Sequence, residues 1–295
     1  MALFLPTKES GILCLVKFMK WHPLVSVILP TWNRAKYLPQ AMDSVLSQDY
    51  RYLELIVVDD GSTDETGQIV NAYKDDRICY IRTSVNRGAA AACNLGISCA
   101  SGDFITFQNS NSVWRQGKLR KELEKFSDVS MDTVVVYHSM VRKTSEGKYK
   151  EIPDSSVVLG ERSGRLFDQL LKRDFIKLPA VCIRRSGLVG VDGIGIFDDT
   201  IPDLEDYDLI LRIARRYRID YINEILADTY YIEDGVNCDM FRRVKSNCLI
   251  MKKYKEDMRR IGIYEEKLRY LRELGKITHT ERLIQEMIER YGEGE

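Results

Sequence analysis

Two periodicities alternate along the chain. Short runs of consecutive apolar residues, rich in Val and Ile, are separated by stretches in which apolar residues recur every three or four positions. Leu24–Leu29 (LVSVIL) is the first run; Pro30 closes it and the polar turn Thr31–Arg34 follows. Leu38, Met42, Val45 and Leu46 then fall on one helical face. Leu53–Val58 (LELIVV) predicts a second strand that ends in Asp59-Asp60-Gly61-Ser62, after which Thr63 or Asp64 caps a helix carrying Ile69, Val70 and Tyr73. Ile78–Ile81 predicts a third strand, Gly88–Ala100 an Ala-rich helix, Asp103–Phe107 a fourth strand, and Trp114–Phe126 another helix. Such alternation predicts an α/β fold with a doubly wound, mostly parallel sheet flanked by helices. Ligands of such sheets sit at the carboxyl ends of the strands, so the loops Thr31–Arg34, Asp59–Ser62, Asn86–Gly88 and Gln108–Ser112 carry the candidate chemistry.

Beyond Ser127 the pattern is less regular. Thr133–His138 and Ala180–Arg184 read as strands joined by a polar connection through Ser145–Ser156. Leu204–Arg215 is helical and opens with the acids Asp203, Glu205, Asp206 and Asp208, and Tyr221–Tyr231 alternates enough for a returning strand or two. From Met240 the composition shifts to long charged side chains, and Leu249, Tyr254, Met258, Leu268, Leu271, Leu274, Leu283 and Met287 mark amphipathic helices. The chain thus divides into an N-terminal extension (1–23), a main domain (24–235, with halves 24–127 and 128–235) and a helical C-terminal extension (236–295). The apolar piece Gly11–Met19 is too short to span a bilayer, and no small-residue cleavage site follows a basic leader, so a cytoplasmic chain is expected. Met19 reads as an alternative start. The tail stripe is read first as a packing face; a peripheral contact with the inner face of the membrane and a homo-oligomer are the other readings.

Composition narrows the function classes. Lys plus Arg (44) balances Asp plus Glu (44), which argues against a nucleic-acid partner, since a polyanion binder needs a basic excess. Hydrophobic residues at 44% allow a sizeable core and exclude disorder. The seven cysteines (Cys14, Cys79, Cys93, Cys99, Cys182, Cys238, Cys248) are odd in number and form no CxxC pair, which fits reduced thiols. His22, His138 and His279 stand alone without spaced partners. No GxxxxGK[ST] loop is present. A nicotinamide-binding oxidoreductase is excluded because no GxGxxG follows the first strand.

The loops themselves are chemically specific. Thr31, Asn33 and Arg34 place a hydroxyl, an amide and a guanidinium at a strand end, although Asn33 equally suits a helix start. A helix cap accounts for Ser62–Asp64 but not for two acids at the end of an apolar strand. Arg87 precedes a helix N-terminus, a place that favours anions. Glu205 and Asp208 share a helical face while Asp206 points elsewhere.

Taken in order, VSVILPTWNRAKYLPQAMDSVLSQDY, LELIVVDDGSTDET, NRGAAAACNLGISCASGDFITF and IFDDTIPDLEDYDLILRIARRY resemble an inverting family 2 glycosyltransferase of the GT-A fold, closely over Leu24–Trp114 and again over Ile196–Tyr217. The resemblance implies a nucleotide-diphosphate sugar donor, most readily a UDP-sugar, bordered by Pro30, Thr31, Asn33 and Arg34. It implies that Asp60 receives the base and places Arg87 and Asn94 on the donor side. An acid of the Glu205-Asp206 pair is then the general base, Asp206 first and Glu205 second. The acceptor is a glycan, a lipid-linked sugar or a protein, in glycan or polysaccharide biosynthesis. The family also implies Mg²⁺ or Mn²⁺ held by an Asp-x-Asp run after the fourth strand. Here that run is Asn109-Ser110-Asn111, shape kept and charge removed, and hard divalent cations want anionic oxygens. Three readings stay open: a weakly held metal, cations such as Arg87, Arg184 or Arg185 in its place, or a catalytically impaired nucleotide-binding or scaffold protein.

Overall fold

The computed structural model describes residues 22–143, 146–188, 197–230, 240–278, 281–282 and 284–286. The expectations for residues 1–21, His279, Leu283 and Met287 lie outside the described residues. The strands are β1 (Val25–Thr31), β2 (Leu53–Asp59), β3 (Ile78–Arg82), β4 (Phe104–Phe107), β5 (Ser112–Trp114), β6 (Thr133–Lys143), β7 (Tyr149–Ile152), β8 (Val181–Arg184) and β9 (Arg218–Tyr230). The helices are α1 (Leu38–Leu46), α2 (Thr66–Ala72), α3 (Ala89–Cys99), α4 (Lys118–Asp128), α5 (Phe167–Lys172), α6 (Arg185–Leu188), α7 (Glu205–Arg216), α8 (Met240–Lys253), α9 (Lys255–Arg260) and α10 (Tyr264–Thr278).

They build one sheet in the order β3-β2-β1-β4-β8-β6-β9-β5, with β7 paired to β6. Strands β1 to β4 are mutually parallel, β8 runs antiparallel between β4 and β6, and β9 runs parallel to β6. The carboxyl ends of β1, β2, β3, β4, β6 and β9 therefore meet at one edge. The runs of β1, β2 and β4 are buried on both faces, as a parallel sheet covered by helices requires, and so read as continuous apolar stretches. On α3, Gly96 allows close approach to the sheet: a Cβ there would sit 2.6 Å from Ile28 Cγ2. Residues 108–111 alone separate β4 from β5, yet β5 ends the strand order. The sheet curls accordingly, and Gln108 Nε2 (3.1 Å) and the Trp114 N–H (3.1 Å) both donate to Ser44 Oγ of α1.

Several boundaries differ from the sequence reading. Trp114 ends a short strand rather than starting a helix, and α4 begins at Lys118 after Gly117 in a left-handed conformation. The polar connection contains the hairpin strand β7, and Tyr221–Tyr230 belongs to one long strand that starts at Arg218. Asp64 caps α2 from outside, its Oδ1 accepting the Thr66 N–H at 3.0 Å. Below the second half lies a fully buried Lys118–Glu122 pair (2.8 Å), with His138 Nε2 3.6 Å from Glu122. Burial and the Lys118 charge hold the His138 imidazole well below its ordinary range, so it is a neutral structural group. The tail packs rather than protrudes: Val244, Tyr254, Met258, Leu268 and Leu271 are buried in one hydrophobic cluster with Leu209, Ile210 and Ile213 of α7.

Candidate active site

Two groups of polar side chains lie around the carboxyl edge, and they are held by different means. The first is built on β1, β2 and the turns that follow. Asp59 is fully buried; its Oδ1 accepts the Ser62 N–H (2.8 Å) and its Oδ2 the Tyr80 hydroxyl (2.7 Å), so it fixes the turn. Gly61 (φ +76) must be glycine here, because a Cβ would lie 2.9 Å from the Val85 carbonyl carbon. Asp60, 4% exposed, accepts the Arg87 and Gly88 N–H groups on Oδ2 (2.8 and 2.7 Å) and the Thr83 hydroxyl on Oδ1 (3.1 Å). It thereby ties the β3–α3 loop, and with it Arg87, to the end of β2. The Asp60 N–H in turn bonds the Thr31 carbonyl at 2.9 Å.

Asn33 adopts a left-handed conformation (φ 49), which asparagine tolerates. Its Oδ1 accepts the Thr63 N–H at 2.7 Å and its N–H donates to Ser62 Oγ at 2.9 Å, so Asn33 locks the β1 and β2 turns together. Arg34 Nη1 reaches the Asn33 carbonyl at 3.3 Å, and its N–H donates to Thr66 Oγ1. Between these residues Trp32 stands 41% exposed at the end of β1. Sequence reading passed over this indole; an aromatic residue in a turn otherwise made of polar residues was the available signal.

Asn94 behaves differently from its expected place on the donor side. Its amide is engaged with the Phe197 backbone in both directions, Nδ2 to the carbonyl (3.0 Å) and Oδ1 from the N–H (2.7 Å). It clamps α3 to the segment leading into α7. Arg184 and Arg185 are corrected more sharply. Arg184 pairs in register with Phe104 at the amino end of β4, donates to the Thr133 and Phe126 carbonyls, and stacks on the Phe104 and Phe126 rings. The Arg185 N–H bonds the Asp103 carbonyl at the same edge. Both arginines therefore face away from the carboxyl ends and cannot stand in for a metal there.

The Asn109–Asn111 loop does lie at the carboxyl end of β4. The Asn109 carbonyl accepts the Ser112 N–H (2.9 Å), while Asn111 pairs with Tyr230 through its carbonyl (2.9 Å) and its Nδ2 (2.8 Å). The Ser112 hydroxyl is bonded to that of Thr229. Among the described residues, no group of three His, Cys, Asp or Glu side chains could hold a metal ion. Neutral amides, one already committed to the sheet, do not fit a resident Mg²⁺ or Mn²⁺.

The second group opens α7. Leu204 has φ 74, an uncommon state for leucine, immediately before Glu205 and Asp206. The tail holds this turn: Arg243 Nε pairs with Asp203 Oδ2 at 2.5 Å, Ser246 Oγ accepts the Asp203 N–H at 2.9 Å, and Arg242 donates to the Pro202 carbonyl. Burial first, then the negative charges of Asp206 and Asp203, push the Glu205 carboxyl up to about 8. Burial also raises Asp203, and it raises Asp174 despite the Lys177 ion pair. Asp206 Oδ1 accepts the Tyr207 N–H at 2.8 Å. Asp208 is structural: fully buried, it binds Arg212 Nε (2.8 Å), Lys253 Nζ (2.8 Å) and the Tyr254 hydroxyl (3.1 Å), fastening α8 to α7.

A curled α/β sheet with a buried acid at the β2 carboxyl end and an acid pair opening a later helix defines a GT-A-type glycosyltransferase fold. Residues 26–185 match the glycosyl transferase family 2 domain, more than half of the chain, and the chain belongs to that family. It is 29% identical over 78% of its length to the putative teichuronic acid biosynthesis glycosyltransferase TuaG of Bacillus subtilis, covering 88% of that protein. It is 30% identical over 70% of its length to an uncharacterized glycosyltransferase of Rickettsia prowazekii, of which it spans 63%. Solved structures share the fold: S. aureus TarS 1–349 with UDP-GlcNAc (TM-score 0.61, 21% identity, covering 77% of this chain and 65% of that one) and the mannosyltransferase PcManGT of Pyrobaculum calidifontis with GDP-Man and Mn²⁺ (TM-score 0.62, 19% identity, covering 80% and 65%). No described helix is long and apolar enough to cross a membrane.

Proposed function

We propose that this chain transfers a sugar from a nucleotide diphosphate, a UDP-sugar first, to an acceptor hydroxyl in glycan biosynthesis, with inversion at the anomeric carbon. The observation that carries the reading is Asp60. Its Oδ1 accepts one hydrogen bond, so a further acceptor position remains at a strand edge, where an N–H of a nucleobase can bind. The exposed Trp32 indole follows Thr31, whose carbonyl accepts the Asp60 N–H, and offers a stacking surface for that base. Neighbours in structure bind UDP, UDP-GlcNAc and GDP-Man, which supports a donor of this class.

The reaction is a single displacement. Asp206 takes the acceptor proton as the acceptor oxygen forms its bond to the anomeric carbon; the bond from that carbon to the phosphate oxygen breaks, and the diphosphate leaves with the electron pair. Burial and the neighbouring Asp206 charge favour the protonated form of Glu205, which keeps Asp206 as the first choice of base. Arg34 and Arg87, at the carboxyl edge, are placed to receive the charge growing on the diphosphate, which the neutral Asn loop does not offset. The test is UDP release from UDP-GlcNAc, UDP-glucose and UDP-glucuronate, with water or an oligosaccharide as acceptor. Release from at least one donor is expected. No release from any, with UDP bound, would favour the binding-only reading that the Asn109–Asn111 loop suggests.

A further inference from the structure

Strands β5, β9, β6 and β7 lie side by side at the end of the sheet, and their registers bring a distinct set of side chains onto one face. A first row runs Asn111, Tyr230, Lys143, Tyr149, and a second runs Val113, Asp228, Val141, Glu151. Residues two apart along a strand share a face, so both rows point the same way. The opposite face carries Trp114, Ala227 and Met140, all buried, and belongs to the core.

The outward face carries the Tyr230 and Tyr149 rings, two cations (Arg115 and Lys143) and two acids (Asp228 and Glu151) around the aliphatic Val113 and Val141. Arg115 grips Asp228 with two nitrogens, Nε to Oδ2 at 2.9 Å and Nη2 to Oδ1 at 3.1 Å. Lys143 Nζ lies 3.4 Å from Asp228 Oδ1, 3.3 Å from the Tyr230 hydroxyl, 4.8 Å from the Tyr230 ring centre and 6.0 Å from that of Tyr149. Two cations thus share one carboxylate. Tyr149 is 72% exposed, and the Arg115 and Lys143 side chains keep 45% and 30% of their surface in solvent. The face begins at Asn111, the last residue of the loop at the carboxyl end of β4, so it is continuous with the donor edge.

We infer that this face of β5, β9, β6 and β7 is the acceptor platform and takes a saccharide chain bearing uronic acid units. Tyrosines on an exposed sheet face match the apolar side of a pyranose ring, while Arg115 and Asp228 offer partners for its hydroxyls. With Lys143 between two rings, a sugar stacked on Tyr149 brings a carboxylate carried directly on its ring to Nζ, a charge-assisted contact. The inference rests on the glycosyltransferase reading.

The test uses the full chain with UDP present, titrated with hyaluronan hexasaccharide as the uronate-bearing probe and chitohexaose as the neutral one. Hyaluronan hexasaccharide is expected to bind roughly tenfold tighter than chitohexaose, and Tyr149→Ala and Lys143→Gln each to weaken it by about tenfold, with UDP affinity unchanged within about twofold. Tyr149 is a surface residue, so its variant remains informative if Lys143→Gln folds poorly. The inference is overturned by no binding of the acidic probe, by equal binding of both probes, or by binding that Tyr149→Ala leaves intact. Retained UDP binding in those cases keeps the donor reading standing; loss of UDP binding in the unmodified chain would sink that reading instead.

Discussion

The two halves of the site solve the same positioning problem with different materials. The half built on β1 to β4, proposed to bind the donor, fixes its polar groups through short-range geometry: Asp60 is held by two backbone N–H groups of one loop, and Asn33 by the turn across from it. The acid pair of α7 is positioned from far along the chain, by Arg242, Arg243 and Ser246 of the tail, some forty residues away. A site made of strand ends inherits its precision from the sheet. A site at a helix start preceded by a strained Leu204 depends on ion pairs contributed by another element.

The sharpest way to separate the halves is Asp206→Asn. Turnover is expected to fall by about 10²–10⁴-fold while UDP affinity is unchanged, as read by product release beside calorimetry. Full turnover in this variant would remove Asp206 from the proposed step. Asp60→Ala addresses the other half. Roughly 10–100-fold weaker UDP binding is expected, together with about 1–3 kcal/mol of lost stability, because the Arg87 and Gly88 N–H groups lose their acceptor.

Arg243→Ala examines the long-range support. We expect kcat to fall about tenfold, with the acidic limb of the pH profile displaced upward because a cation near Asp203 is gone, and UDP binding unaffected. Rescue by Arg243→Lys would identify the charge as the active feature. A loss of melting temperature without a displaced pH limb would mean that the tail only stabilises the fold.

The smallest effect concerns Glu205. Its folded carboxyl titrates near 8 against an ordinary value of 4.5, so between those values the native chain holds a proton that the unfolded chain releases. Stability from this group is therefore present at low pH and lost as pH rises through that window. Glu205→Gln removes the titration. Its melting temperature should equal that of the unmodified chain near pH 5 and exceed it by a few degrees at pH 9. A constant difference across that range would show that Glu205 does not titrate there.

The same contrast explains what could be read from the chain in advance. Strands β1, β2 and β4 and their loops were legible because a buried parallel strand is a continuous apolar run that ends in a polar loop. Asp60 stood out because a helix cap does not account for a second acid at the end of LELIVV; the structure shows that this acid ties the β3–α3 loop to the end of β2. The long register of β9 and the short strand β5 were not legible, since β5 has only three residues and is defined by partners on β9 and α1. Asn94 shows the limit of motif reading. The residue lies where the pattern puts it, but its amide is engaged by Phe197, a partner 103 positions away that no local pattern reveals. Arg184 and Arg185 had suitable charge, and only the antiparallel direction of β8 shows that they occupy the wrong edge.

The most direct measurement is calorimetric titration of UDP into the full chain and its Asp60→Ala variant, each with and without Mn²⁺. Binding to the unmodified chain that Mn²⁺ does not strengthen, and that Asp60→Ala weakens at least about tenfold, is the predicted result. Binding that requires Mn²⁺, or that survives Asp60→Ala intact, would contradict the account.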